Sequence, residues 1–162
     1  MCGTPIAMAI VDILQLRDAL PPRTPVVGLD PGEKTIGVAV SDISLTIASP
    51  LALIRRSKFT KEAEELFALM ASRAAGGVVI GLPVNMDGTE GARCQSNRAL
   101  ARNLLRLKEL PIVFWDERLS TAAINRMLIT EADLTRAKRA GVVDRAAAAY
   151  ILQGALDRLK AL

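Results

Sequence analysis

The sequence contains no histidine. That absence excludes Ser-His-Asp and Cys-His catalysis and every His-ligated zinc site. Any acid–base or metal chemistry must fall to carboxylates, lysine, tyrosine or water. Cysteine is nearly missing as well. Cys2 and Cys94 form no metal-ligand spacing and no disulfide framework, so a reducing, cytoplasmic setting is expected. Aromatic residues make up only 3%, with one Trp and one Tyr. That scarcity argues against single-strand binding by base stacking, which needs several exposed rings. Long apolar runs are also lacking: no stretch reaches the ~18 consecutive apolar residues of a membrane span. The opening segment MCGTPIAMAIVDILQLRD has no basic n-region, and Asp12 and Gln15 interrupt it. It reads as an amphipathic helix over roughly residues 8–20 and not as a signal peptide.

What remains is material for one aliphatic core. A chain of 162 residues with 51% hydrophobic content suits a single domain built from Leu, Ile, Val and Ala. Lys and Arg number 21 against 17 Asp and Glu, a net charge of +4. This mild basic excess is compatible with a polyanionic partner and equally with an ordinary basic protein.

The pattern along the chain divides it at PPRTP, residues 21–25, into an N-terminal extension (1–25) and a domain (26–162). VVGLD, 26–30, reads as a strand, PGEK as a turn, and TIGVAVSD, 35–42, as the next strand. LTIASPLALIRR, 45–56, reads as a third strand that Pro50 confines to an edge or a bulge. Thr60 is the expected N-cap of a helix running to Ala75, which Gly76-Gly77 ends. VVIGLP, 78–83, is a short buried strand, and 85–91 a loop. A helix over 92–109, a strand over 112–117, a short helix over 120–129, a polar, basic loop over 130–141 and a closing helix over 142–159 complete the chain. A meander of strands followed by alternating helix and strand implies an α/β fold with a mixed sheet covered by helices.

Carboxylates offer the candidate chemistry. Asp30 ends an apolar strand and precedes Pro31-Gly32, and strand ends are where ligands sit in open α/β sheets. Asp30 could equally cap its own turn. Asp116 and Glu117 end another apolar strand; successive residues face opposite sides, so at most one of them serves a given site. Their alternative role is to complement the dipole of the helix that follows. Asp144 precedes Ala147, Ala148, Ile151 and Leu152 by three, four, seven and eight residues, on the stripe that packs against the sheet. It could instead be a first-turn or N-cap residue. If the three positions converge, the occupant suited to an all-oxygen, histidine-free site is Mg²⁺ or Mn²⁺. Two such ions roughly 3.5–4 Å apart activate water and stabilise the leaving oxygen in phosphodiester cleavage. Lys34, Arg118, Arg136, Lys138 and Arg139 lie close in sequence to these acids and are candidates for phosphate contacts, or are plain solvated charges. Asn85, in the loop GLPVNMDGTEG, either touches phosphate backbone or belongs to an ordinary turn.

Taken together, VVGLDPGEKTIGVAVSD at 26–42, VVIGLPVNMDGTEG at 78–91, VFWDERLST at 113–121 and VVDRAAAAYILQGAL at 142–156 resemble the YqgF family, also called RuvX, of Holliday-junction-resolvase-like proteins. The resemblance covers the chain from 26 to 160 and implies a ribonuclease H-like fold, a five-stranded mixed sheet flanked by helices, here with an extra N-terminal helix. It implies an acidic site at Asp30, the pair Asp116 and Glu117, and Asp144, with Glu117 favoured because the family's triad looks like Asp, Glu, Asp. Pro31 stands where the family usually has a hydrophobic residue; it spares the carboxylate. The implied activity is a Mg²⁺- or Mn²⁺-dependent endonuclease, a cytoplasmic hydrolase that matures the 5′ end of pre-16S ribosomal RNA. Its partners would be structured RNA or branched DNA, and it would act as a monomer or homodimer. A Holliday-junction-resolving DNase is the alternative within nucleases, and a non-catalytic RNA-binding assembly factor the alternative outside them. An ATP-binding module of the actin and sugar-kinase type shares the D-x-G turn but needs a second phosphate loop and a much larger body.

Overall fold

The structure, a computed structural model, describes residues 10–119 and 136–161, and side chains of the last helix from Ala146 onward. Its elements are α1 (Ile13–Ala19), β1 (Val26–Pro31), β2 (Thr35–Ser41), β3 (Ala48–Arg55), α2 (Phe59–Arg73), β4 (Gly77–Leu82), α3 (Ala92–Leu107), β5 (Ile112–Asp116) and α4 (Arg136–Lys160); a 3-10 turn, Glu117–Leu119, follows β5. The five strands form one sheet in the order β3-β2-β1-β4-β5. β1 pairs antiparallel with β2 and parallel with β4, and β5 runs parallel to β4. The mixed sheet expected from the meander is therefore present. Pro50 sits in the edge strand β3, and the register between β2 and β3 slips at Val38/Ala39, where Ala39 meets Pro50. An edge strand and a bulge are the places where a residue without an N–H does least harm.

Strand alternation sorts the core into two layers. Val27, Leu29, Val78, Ile80 and Ile112 point to one face and pack with α2 and α3 through Leu66, Met70, Leu100 and Leu104. Val26, Val79, Val113 and Trp115 point to the other, against α4 through Ala148, Ile151, Leu152 and Ala155, with Leu16 of α1 completing the layer. Glycines let α4 come close. A Cβ on Gly28 would lie 2.7 Å from Leu152 Cβ and 3.1 Å from the Ala148 carbonyl oxygen. One on Gly81 would lie 2.7 Å from Ile151 Cδ1.

Four expectations are corrected. The N-terminal helix expected over 8–20 begins at Ile13. Ile10 bridges Ile112 in parallel and Val11 N–H donates to the Ile112 carbonyl at 2.9 Å, so this segment runs extended along the edge of β5. The helix starts only after Asp12, whose N–H donates to Gln15 Oε1 at 3.0 Å. Thr60 is not an N-cap: α2 begins at Phe59, with Lys58 at the cap. The Glu62 carboxylate turns back to accept the Ser57 N–H at 2.9 Å. Gly76-Gly77 does not end α2 either. Ala74 takes the left-handed conformation (φ 54), its neighbour Ala75 N–H bonds back to Met70 at 2.9 Å, and Gly77 already belongs to β4. Finally, residues 136–141 are not loop. RAKRAG is the start of a 25-residue α4, in keeping with the high helix propensity of Arg, Ala and Lys. The rest of the expected loop, 130–135, and the expected helix at 120–129 lie outside the described residues.

The close approach of α4 makes a direct prediction. Gly28→Ala should destabilise the protein by about 1–3 kcal/mol, the usual cost of overpacking a tight contact. Urea denaturation would read this as a lower midpoint; an unchanged midpoint would mean the helix can back away freely.

Candidate functional site

Parity places the acids. Asp30 shares the orientation of Val26 and Gly28 along β1, so its side chain belongs to the α4 face. Glu117, one residue past β5, shares that of Val113 and Trp115, the same face. Asp116 follows Ile112 and Phe114, which pack on the opposite layer. β4 separates the two acid-bearing strands, and its Gly81 leaves the room that joins them. A Cβ there would lie 3.0 Å from Glu117 Cγ and 3.1 Å from Glu117 Cδ, so the Glu117 side chain folds over the glycine toward β1. All three strands run parallel, so these groups sit at one edge of the sheet, at its carboxyl ends.

Electrostatics separates the neighbouring acids further. Burial, with repulsion from Asp30 next, pushes the Glu117 carboxyl from 4.5 up to about 7, while the Arg93 charge opposes the rise. Asp116 moves the other way. Its carboxylate holds the Arg118 guanidinium, Nη2 to Oδ2 at 2.6 Å and Nε to Oδ1 at 3.1 Å, and accepts the Arg118 N–H at 2.9 Å, which lowers its pKa. Glu117 thus feels the charge of Asp30, and Asp116 is committed to Arg118.

Two carboxylates driven together on a half-buried face, one of them forced toward its neutral form, suit either a shared proton or a hard cation with oxygen preference. The donor set fits Mg²⁺ or Mn²⁺. Asp144 lies two turns inside α4, which begins at Arg136, so it is not a capping residue. Its side chain, like those of Arg136, Lys138 and Arg139, lies outside the described part. Among the described residues no group of three acids surrounds one point.

The other expected contacts divide. Lys34 is exposed in the β1–β2 turn. Asn85 is tied into its own loop, its Nδ2 donating to Thr89 Oγ1 at 2.9 Å, and its carbonyl accepts Arg118 Nη1 at 3.4 Å. Arg118 is consumed by Asp116. The sequence reading missed three residues on the α2/α3 side. Arg93 Nη2 donates to the Pro31 carbonyl at 3.1 Å, Arg56 Nη1 to the Gly32 carbonyl at 3.0 Å, and buried Asn97 Nδ2 to the Gly81 carbonyl at 2.8 Å. These bonds pin the strand ends that carry Asp30 and frame Glu117. Arg93 and Asn97 belong to the polar run ARCQSNR, and Arg56 follows β3.

A mixed sheet of this order, crossed by a closing helix and bearing acids at its carboxyl edge, is a ribonuclease H-like fold of the resolvase type. T. thermophilus RuvC, solved with a Holliday junction substrate, aligns with a TM-score of 0.54 at 15% identity over 85% of this chain and 96% of that one. The yeast mitochondrial Holliday junction resolvase Ydc2 aligns at 0.50 and 10% identity, over 92% of this chain and 86% of that one. A family model described as RuvX, Holliday junction resolvase, matches residues 24–158, and the chain belongs to that family. Curated relatives named "Putative pre-16S rRNA nuclease" include one from Phenylobacterium zucineum, 70% identical across 96% of this chain and all of its own length. Another, from Rhodospirillum rubrum, is 64% identical across 94% of each. No helix among the described residues is long and apolar enough to cross a membrane.

Glu117 gives this site a pH signature. Its folded pKa lies above its unfolded value, so the stability it contributes is complete below 4.5 and is lost as pH rises toward about 7. Glu117→Gln removes that loss. In chelator, the variant should match wild type near about pH 4 and exceed it in urea resistance near about pH 8. Parallel profiles for the two proteins would contradict the burial and repulsion assigned to Glu117.

Proposed function

We propose that this chain is a Mg²⁺- or Mn²⁺-dependent endonuclease that hydrolyses phosphodiester bonds at the 5′ end of precursor 16S ribosomal RNA in the cytoplasm. The observation that carries the reading is the Glu117 carboxyl folded over Gly81 on the face that α4 covers, half-buried and repelled by the charge of Asp30. Proteins need a strong reason to press two acids together in a partly dry site, and a divalent cation removes the repulsion.

Asp30 and Glu117 would hold the metal, with Asp144 of α4 as the third acid. Bound metal supplies an activated water and neutralises charge on the phosphate. The chain's own residues supply the geometry. Asp30 is held at a strand end whose next two carbonyls are gripped by Arg93 and Arg56. Glu117, short of water and repelled by Asp30 when the site is empty, would gain most from the cation's charge. Asp116 stays outside the acid set and anchors the turn through Arg118. Lys34, Asn85, Arg136, Lys138 and Arg139 would meet the substrate backbone, fixing its position without reading its sequence. The RNA substrate is favoured by relatives of that name, among them one 70% identical across its whole length. A junction resolvase would further require a dimer that spaces two sites across a symmetric substrate.

The test offers a pre-16S 5′ fragment and a four-way DNA junction side by side, with Mg²⁺, Mn²⁺ or excess chelator. Metal-dependent cleavage of the RNA is expected. Asp30→Asn and Asp144→Asn should each lower the rate by roughly 10³-fold, the scale of several kcal/mol of lost charge stabilisation, while leaving RNA affinity nearly intact. Undiminished cleavage in chelator, or by Asp30→Asn, would overturn the scheme; preferential cutting of the junction would transfer it to DNA.

A further inference from the structure

We propose that Arg93, in the first turn of α3, receives a phosphodiester oxygen of the substrate strand beside the acid pair. This deepens the nuclease reading and rests on it.

The guanidiniums described around the site are not equivalent. Arg118 is neutralised by Asp116 at 2.6 Å, Arg98 by Glu90 at 2.7 Å, and Arg56 by the buried Glu62 at 2.9 Å. Among the described ion pairs, Arg93 has no carboxylate partner. Its recorded bond is to a neutral acceptor, the Pro31 carbonyl, one residue past Asp30. That bond occupies one N–H of a group that carries five. It fixes the charge in place without cancelling it, which is what recognition of a phosphate requires.

The surroundings match. Arg93 borders an open cleft of about 370 Å³ behind the Asp30 turn, together with Ser57, Ser96, the paired Arg56 and Glu62, and Glu33. Serine hydroxyls are natural phosphate donors. One cation is thus anchored one residue past Asp30 and open to solvent on its other side. A phosphodiester strand running from Asp30 past the Pro31–Gly32 turn would bring a non-bridging oxygen to that cleft. Arg93 would then replace Arg118 as the arginine that meets the substrate.

Salt dependence is the test, because a neutralised phosphate contact contributes a slope of roughly 0.7–0.9 to log K against log salt. Fluorescence anisotropy with a labelled pre-16S 5′ fragment, in chelator, reads binding without turnover. Arg93→Gln should weaken binding about fivefold to tenfold at low salt and flatten the slope by roughly one contact. Arg93→Lys keeps the charge and should restore the slope even where the lost fork costs some affinity. A variant that merely disturbs the Pro31 turn would not separate Lys from Gln in this way. Equal slopes for wild type and Arg93→Gln, or for the Lys and Gln variants, would overturn the inference. Metal-dependent RNA cleavage alongside equal slopes would sink this inference alone. A slope that falls as expected in a protein that cuts nothing would sink the nuclease reading and leave the contact standing.

Discussion

The contact between α4 and the glycines of the sheet governs this molecule. With no Cβ on Gly28 or Gly81, Leu152, Ala148 and Ile151 settle against strand backbone. That closeness does two things at once. It buries the aliphatic stripe of α4 completely, with Ala148, Ile151, Leu152, Ala155 and Leu156 all at 0% exposure. It also sets Ile151 beside Gly81, where the Glu117 side chain folds over the same glycine. A bulkier β4 would push Ile151 away and leave Glu117 no place to fold over. Packing and candidate chemistry therefore share one geometric requirement.

From that requirement follows the split between Asp116 and Glu117. They are adjacent in sequence, yet alternation sends them to opposite layers. Glu117 enters the layer under α4, loses water and meets the Asp30 charge. Asp116 faces the other side, where Arg118 can fold back on it. The two pKa values separate in opposite directions for these reasons. One acid is left under tension that a cation can relieve, and its neighbour is neutralised by a guanidinium at the next position but one. Pushing the pKa values of neighbouring acids apart is how a fold assigns them different tasks.

Much of this was legible in the sequence because it is local. Period-two alternation in VVGLD and TIGVAVSD, the Pro50 restriction and the polar turn at 31–34 are near-neighbour effects, and the sheet follows them. The acids at strand ends were equally visible, and parity sends Asp116 and Glu117 to opposite faces. What the sequence hid has tertiary causes. Ile10 and Val11 look helical by composition but are recruited to the edge of β5. Such pairing blunts an exposed strand edge, a global need that no local window displays. The basic segment 136–141 looks like loop because it is polar all round, yet it continues a helix whose remaining turns are anchored in the core.

The most instructive omissions are the carbonyl anchors. Arg93 reaches a carbonyl 62 residues away, Arg56 one 24 away and Asn97 one 16 away. No motif spacing encodes such bonds, since each depends on which helix lies over which strand end. They also come from the opposite layer to the acids. A strand end that must hold a carboxylate steady on one face is exposed to fraying on the other, where its last carbonyls face the α2/α3 side. Side-chain donors from that side satisfy those carbonyls and stiffen the strand ends. The acid site is thus a two-sided construction. The α4 layer supplies desolvation and repulsion, and the α3 layer supplies the hydrogen bonds that keep the strand ends from yielding to it. Charge on the acids would otherwise be relieved by a small backbone shift at Pro31 or Gly81. With both carbonyls held, a bound counter-ion or a proton is the easier relief.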